Sequence, residues 1–262
     1  MKYMIVTQTF PPRTGGMQNV MDSISKRLSI HREIHIFPDH YLSKEYSNLN
    51  FNINIHNNFS PKILRPFIKK NLLKVISKND DVIICDSWKS MNAVPKSINN
   101  VIVFAHGQEF LSINNKFNRI KKSLNRASCI ICSSNYTASL IDKLKITNIK
   151  TIVIPPTYSL EKLSEKKEKY SKNPKIVSLL TICRLEKRKG ILPVLRCLSN
   201  LNRSKLLKPF QWNICGEGVQ FEAIRESIKQ LNLSDKVKLI GKINGNLKQN
   251  FLESSDVFVM PS

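Results

Sequence analysis

Thr181-Ile-Cys-Arg184-Leu-Glu-Lys-Arg-Lys189-Gly190 ties an apolar run, Ile176-Val-Ser-Leu-Leu-Thr-Ile-Cys183, to a second one, Ile191-Leu-Pro-Val-Leu-Arg-Cys-Leu198. The first run predicts a buried strand. The second predicts a helix with Pro193 in its first turn, where a missing N–H costs little. A strand, a short cationic loop and a helix start make one α/β unit. Its loop is placed for an anion, because a helix N-terminus carries about half a positive charge and unsatisfied N–H groups. Arg184 and Lys189 flank the loop, and Gly190 lets the backbone turn closely. A fork-shaped guanidinium and a point-charge ammonium suit a diphosphate. A solvated basic loop would show the same residues, so the local pattern leaves both readings open.

Downstream the α/β pattern continues. Gln211-Trp-Asn-Ile-Cys215 predicts a strand ending in Gly216-Glu217-Gly218, with a helix over 220–231. Lys236–Gly241 predicts a strand, 246–254 a helix and Asp256–Met260 a strand. Upstream, 160–174 is highly charged and ends in Pro174, which marks a linker between a domain at 1–159 and one at 175–262. The first domain repeats the alternation. Tyr3–Thr7, Glu33–Phe37, Asp81–Cys85, Val101–Ala105, Ser128–Cys132 and Thr151–Ile154 predict strands, and Phe51–Ile55 a short one. Strand and helix alternating throughout imply two doubly wound parallel sheets.

Two loops in that first half fall where parallel sheets place ligands, at the carboxyl ends of strands. Gly15-Gly16 precedes a helix with Val20, Met21, Ile24 and Leu28 at helical spacing, although it is not a G-x-G-x-x-G fingerprint. His106-Gly107 follows the strand Val101–Ala105; a structural histidine is the alternative reading. The stretch 61–78 predicts a helix with an apolar face (Ile63, Leu64, Phe67, Ile68, Leu72, Val75, Ile76) and a basic one (Lys62, Arg65, Lys69, Lys70, Lys74, Lys78). Such a helix packs its apolar side on the sheet or lies on an anionic membrane surface.

The formal net charge of +23 over 262 residues favours anionic partners. Lys and Arg are spread along the chain, and no nucleic-acid module is visible, so specific nucleic-acid binding is not expected. The six cysteines sit mostly in apolar runs. Cys129-Ile-Ile-Cys132 has redox spacing but falls inside a predicted strand, and no second pair completes a zinc set. His31 and His35 would share a metal-binding helix face only if the segment were helical, and Ile34 and Ile36 alternate as in a strand. No secretory signal and no apolar run of about 20 residues is present, which predicts a cytoplasmic protein, peripheral on the inner membrane face if it meets lipid at all.

In order and spacing, Phe10-Pro-Pro-Arg-Thr-Gly-Gly-Met-Gln18, His106-Gly107, Arg184 with Lys189-Gly190, Gly216-Glu217-Gly218 and Ser255–Ser262 resemble family 4 retaining glycosyltransferases of GT-B architecture. The first of these loops looks closest to the phosphatidylinositol mannosyltransferase and lipopolysaccharide branch. The resemblance implies transfer of a sugar from a nucleotide-sugar donor to a lipid-linked or polysaccharide acceptor with retention. Arg184 and Lys189 would hold the donor diphosphate, and no metal or other cofactor is called for by the pattern. Gly15 and Gly16 would face the same phosphates, Gly190 would close the phosphate loop, His106 would contact the transferred sugar, and Gly216, Glu217 and Gly218 would border the nucleotide. In the family an E-x7-E glutamate pair follows the strand that here ends near Ser262. Its absence implies an incomplete second domain and impaired transfer, or a membrane-surface or partner-binding remnant without activity.

Overall fold

The computed structural model describes residues 1–13, 15–40, 52–111, 116–146, 149–156, 175–204, 206, 208–243 and 245–261. The chain divides into two compact units, Met1–Glu161 and Lys162–Ser262. The linker expected at 160–174 lies outside the described residues.

In the first unit, β1 (Tyr3–Val6), β2 (Ile34–Phe37), β3 (Ile53–Ile55), β4 (Val82–Cys85), β5 (Val101–Ala105), β6 (Cys129–Cys132) and β7 (Lys150–Val153) form one sheet of order β3-β2-β1-β4-β5-β6-β7. Every neighbouring pair is parallel. Successive strand residues point to opposite faces, so a parallel strand covered on both sides reads as an unbroken apolar run. Met4, Val6, Ile83 and Cys85 enter one core, while Ile5 and Ile84 enter another with Phe10, Met21, Ile34 and Ile36. The helices are α1 (Gly16–Ser29), α2 (Arg65–Ile76), α3 (Phe117–Leu124) and α4 (Asn135–Asp142). Pro66 in the first turn of α2 has its φ already set for a helix, and Ser134 caps α4 by accepting from Thr137 N at 3.1 Å.

The basic amphipathic helix expected over 61–78 is corrected by this packing. It is shorter, and Lys69, assigned from its charge to the basic face, is buried at 3% exposure. Its Nζ donates to Thr7 O at 2.7 Å and pairs with Asp39 Oδ1 at 2.5 Å. Lys69, Leu72, Leu73 and Ile76 occupy one helix face by i, i+3, i+4, i+7 spacing, and it is this face that meets the sheet side. Ile63, Phe67 and Val75, expected on the apolar face, are 90%, 63% and 85% exposed.

In the second unit, β8 (Val177–Ile182), β9 (Phe210–Cys215), β10 (Val237–Gly241) and β11 (Val257–Phe258) form a parallel sheet of order β10-β9-β8-β11, with α5 (Ile191–Arg203), α6 (Phe221–Gln230) and α7 (Gly245–Ser254). Its core gathers Leu185, Ile191, Leu195, Trp212, Ile214 and Ile224. The buried polar atoms inside it are paired: Trp212 Nε1 donates to Thr181 Oγ1 at 3.0 Å, and Thr181 Oγ1 donates to Val259 O at 2.6 Å. The expected strand Asp256–Met260 contracts to the two residues of β11 at the sheet edge.

Both sheets reverse their strand order once, between β1 and β4 and between β8 and β11. Loops leaving the strands on either side of such a reversal diverge, and the space between their carboxyl ends is where doubly wound sheets take ligands.

Candidate active site

The reversal of the second sheet is flanked by the loop after β8 and the segment after β11. Lys187–Lys189 form a 3-10 turn, and Gly190 adopts φ 66°, ψ 19° before α5 begins at Ile191. A Cβ on Gly190 would lie 3.1 Å from Pro261 O, so the cationic loop and the segment following β11 are in contact. The positive φ and this approach together favour glycine. Glu186, which the sequence reading passed over, holds two of the loop's cations: Arg184 Nη1 lies 3.1 Å from Oε1, and Arg188 Nε donates to Oε2 at 2.8 Å. Arg184 is 68% exposed in its side chain, so its pairing with Glu186 is a surface ion pair of about 0–1 kcal/mol that a stronger anion can displace.

Gly216, Glu217 and Gly218 join this same site. Leu185 N donates to Glu217 O at 2.9 Å, and Gln220 N donates to Leu185 O at 3.0 Å. Gly216, at φ 141°, lies so close to the Arg184 loop that a Cβ would stand 1.8 Å from Cys183 O. No side chain fits there. The two motifs, more than thirty positions apart in sequence, are thus strapped together at the carboxyl ends of β8 and β9.

Gly15 and Gly16 open α1 next to the reversal of the first sheet, and a Cβ on Gly16 would meet nothing within 4 Å. His106 follows β5, and its Nε2 lies 2.9 Å from Asp86 O. A carbonyl only accepts, so Nε2 carries the proton. Burial lowers the His106 pKa, which keeps the ring neutral and leaves Nδ1 as an acceptor. Two residues that the sequence reading did not single out complete this edge. Asp86 is fully buried; its carboxylate lies 2.7 Å from Thr7 Oγ1, accepts from Gln8 N at 2.8 Å, and is met by the Ser87 and Ser90 hydroxyls. The signal for Asp86 was available: an acid immediately after a wholly apolar strand sits at the strand's carboxyl end. Glu109 Oε1 accepts from His106 N at 3.3 Å, and burial, helped by the nearby Asp86 charge, pushes its pKa up to about 7.

Glu109 makes stability depend on pH. The unfolded chain ionises this carboxyl near 4.5 and the folded chain near 7, so between those values the unfolded state holds fewer protons. Its contribution is intact below pH 4.5 and is lost as pH rises through 7, by about 3 kcal/mol at most. In Glu109→Gln that slope disappears, and its melting temperature overtakes that of the parent between pH 5 and 8. Parallel Tm-versus-pH curves for the two proteins would remove this role.

His35 lies on β2, as the alternation of Ile34 and Ile36 predicts, and pairs within the sheet. His35 Nδ1 lies 2.9 Å from His56 Nε2, and His35 Nε2 lies 3.0 Å from Glu33 Oε1. Cys129 and Cys132 both lie on β6 as free thiols, with pKa values raised by burial, to about 11 for Cys132.

Residues 161–262 match the family described as "Glycosyl transferases group 1". No curated protein shows significant sequence similarity to the chain. Among solved structures, a glycosyltransferase from Rickettsia africae is 21% identical with a TM-score of 0.71, covering 100% of this chain and 73% of its own. The lipopolysaccharide outer core galactosyltransferase WaaB in its apo form is 17% identical with a TM-score of 0.68, covering 100% and 74%. Anabaena HepE in complex with UDP is 16% identical with a TM-score of 0.67, covering 98% and 73%. At these identities the likeness is one of fold, and the fold is that of GT-B glycosyltransferases: two parallel α/β sheets, each reversing its strand order once, with a group 1 glycosyltransferase domain matched over the second.

Proposed function

We propose that this chain is a glycosyltransferase that takes a sugar from a nucleoside diphosphate donor, of the UDP-sugar class bound by its structural neighbours, and passes it with retention to a lipid-linked or polysaccharide acceptor. The observation that carries the reading is the second unit's site. A cationic loop, a helix start and a tight glycine turn converge at a strand-order reversal, within the segment matched by the glycosyltransferase family. HepE holds UDP in one solved structure and UDP-glucose in another.

On this reading Arg184 and Lys189 grip the diphosphate, and Gly216–Gly218 borders the nucleoside. The bond from the anomeric carbon to the β-phosphate oxygen breaks with its electron pair leaving on the diphosphate. The two cations stabilise that growing charge. The acceptor oxygen bonds the anomeric carbon from the same face, and its proton passes to the departing phosphate. In the first unit, Gly15–Gly16 and His106 are the candidate sugar-side residues, and neutral His106 offers Nδ1 as an acceptor to a sugar hydroxyl. Incubation with a panel of nucleoside diphosphate sugars and a lipid-phosphate primer tests this, with product anomers read by NMR. Transfer with retained configuration is expected; absence of both binding and consumption for every donor tested would overturn it.

A second reading adds attachment to an anionic membrane surface. Among the described residues no helix is long and apolar enough to cross a membrane. Phe67 and Val75 on α2, and Ile63 in the turn before it, nevertheless leave exposed apolar side chains, with Lys70 and Lys74 on the same helix. Co-flotation with vesicles containing anionic lipid is expected to fall at least about fivefold in Phe67→Ser/Val75→Ser. Equal flotation by both proteins would remove this reading.

A further inference from the structure

We infer that the first unit carries a second anion site, separate from the donor loop, that takes a phosphomonoester or diphosphate group. A pocket of about 280 Å³ is lined by Asn92, Lys96, Arg119, Lys122, Ser123 and Arg126. Four cations and no carboxylate face it. Lys96, Arg119 and Lys122 make no ion pair among the described residues. Arg119 and Lys122 are three apart on α3, and Arg126 lies just past its carboxyl end, so the pocket gathers like charges without compensation. The pair on the helix costs about 0.2–0.5 kcal/mol, and a bound polyanion relieves the cost.

Arg126 gives the pocket a fixed floor. Its guanidinium donates to Met91 O at 3.2 Å, Val94 O at 2.8 Å and Pro95 O at 3.0 Å. Three of its five N–H donors are so used, which holds the plane in place and leaves two for a ligand. The carboxyl end of α3 brings about half a negative charge, far less than the four cations offset. Asn92 and Ser123 add neutral hydrogen-bonding groups. The volume lies just below the roughly 300–1,000 Å³ of drug-sized pockets, which suits a phosphate group with a small substituent and not a whole nucleotide sugar. Lys96 and Arg126 lie on the segments that enter β5 and β6, whereas His106 and Glu109 lie on the segment that leaves β5. The pocket therefore belongs to the opposite rim of the sheet from His106, and its ligand need not be the donor. A phosphate on a lipid headgroup, or on a soluble phosphate compound, fits this chemistry.

The test uses the whole chain and inorganic pyrophosphate at physiological salt, by calorimetry. Pyrophosphate is expected at two sites, here and on the donor loop. Arg119→Gln/Lys122→Gln weakens one of them at least about 30-fold and leaves UDP binding unchanged. Its melting temperature stays level or rises, because like charges are removed. Lys229→Gln/Lys238→Gln, with the same charge change on the other unit, leaves both sites intact. Unchanged pyrophosphate binding in Arg119→Gln/Lys122→Gln, or an equal loss in both double variants, would overturn the inference. Vesicles with phosphatidic acid then separate the sources: weaker retention of Arg119→Gln/Lys122→Gln assigns the site to a headgroup phosphate, and equal retention alongside lost pyrophosphate assigns it to a soluble one. Loss of UDP binding in donor-loop variants bears on the transferase reading alone.

Discussion

Arg184→Gln/Lys189→Gln is expected to weaken UDP binding about 100-fold or more, since each lost charge-assisted contact to a phosphate is worth about 1.5–3 kcal/mol. The expectation follows from where the two cations sit. Arg184 is exposed and pairs with Glu186, and Lys189 lies in the turn that ends at left-handed Gly190, where α5 starts. Neither side chain is part of the core, so the double variant keeps the parent's melting temperature while losing the ligand. Glu186→Gln is the informative companion. It removes no cation but frees Arg184 and Arg188 from their shared carboxylate. Because exposed pairs of this kind are worth little, it shifts UDP affinity by less than about tenfold. Calorimetric titration of the three proteins decides the matter. If the double variant binds UDP as the parent does, the loop is a solvated basic loop after all, and the donor site must lie elsewhere.

The sheets were legible from the sequence because parallel strands covered on both faces must be apolar at every position. Asp81–Cys85 and Val101–Ala105 could hardly be read otherwise, and their observed strands agree closely. The glycines of the second unit's loops stood out for a related reason: Gly216 sits where no side chain fits, and Gly190 holds a positive φ that favours glycine, so both punctuate the apolar runs. The electrostatic interior was not. Lys69 counts as a surface residue by composition, yet its spacing to Leu72, Leu73 and Ile76 puts it on the buried face. Two apolar stripes compete along that helix, and only the neighbours decide which one packs. The partner of Lys69, Asp39, is thirty positions away in sequence, and a pairing over that distance leaves no periodic trace. Glu109 and Glu186 were hidden similarly: Glu109 is distinguished by its burial, and Glu186 by the two cations beside it.

Asp86→Ala is expected to destabilise the first unit by about 3–5 kcal/mol, the cost of removing one member of a buried charged network. The fully buried carboxylate answers Thr7 Oγ1, the Gln8 N–H and the hydroxyls of Ser87 and Ser90, and it lies near enough to Lys69 to favour that ammonium's charged form. Burial works the other way and lowers the Lys69 pKa. Removal of Asp86 therefore leaves several donors without an acceptor and takes one of two carboxylates from a nearly dehydrated cation. The chain carries its own reporters, since Trp88 belongs to the first unit and Trp212 to the second. In a Trp212→Phe background, Trp88 fluorescence should show the urea midpoint of Asp86→Ala falling by about 1–3 M. In a Trp88→Phe background the Trp212 transition should stay where it was. Asp86→Asn should fall between parent and alanine variant, because the amide keeps an acceptor oxygen but turns a donor toward groups that already donate. An unmoved Trp88 midpoint would mean that water enters and replaces the carboxylate without cost. The network would then owe its place to the chemistry at the end of β4, where the Asp86 carbonyl fixes the tautomer of His106, and not to the folding of the sheet.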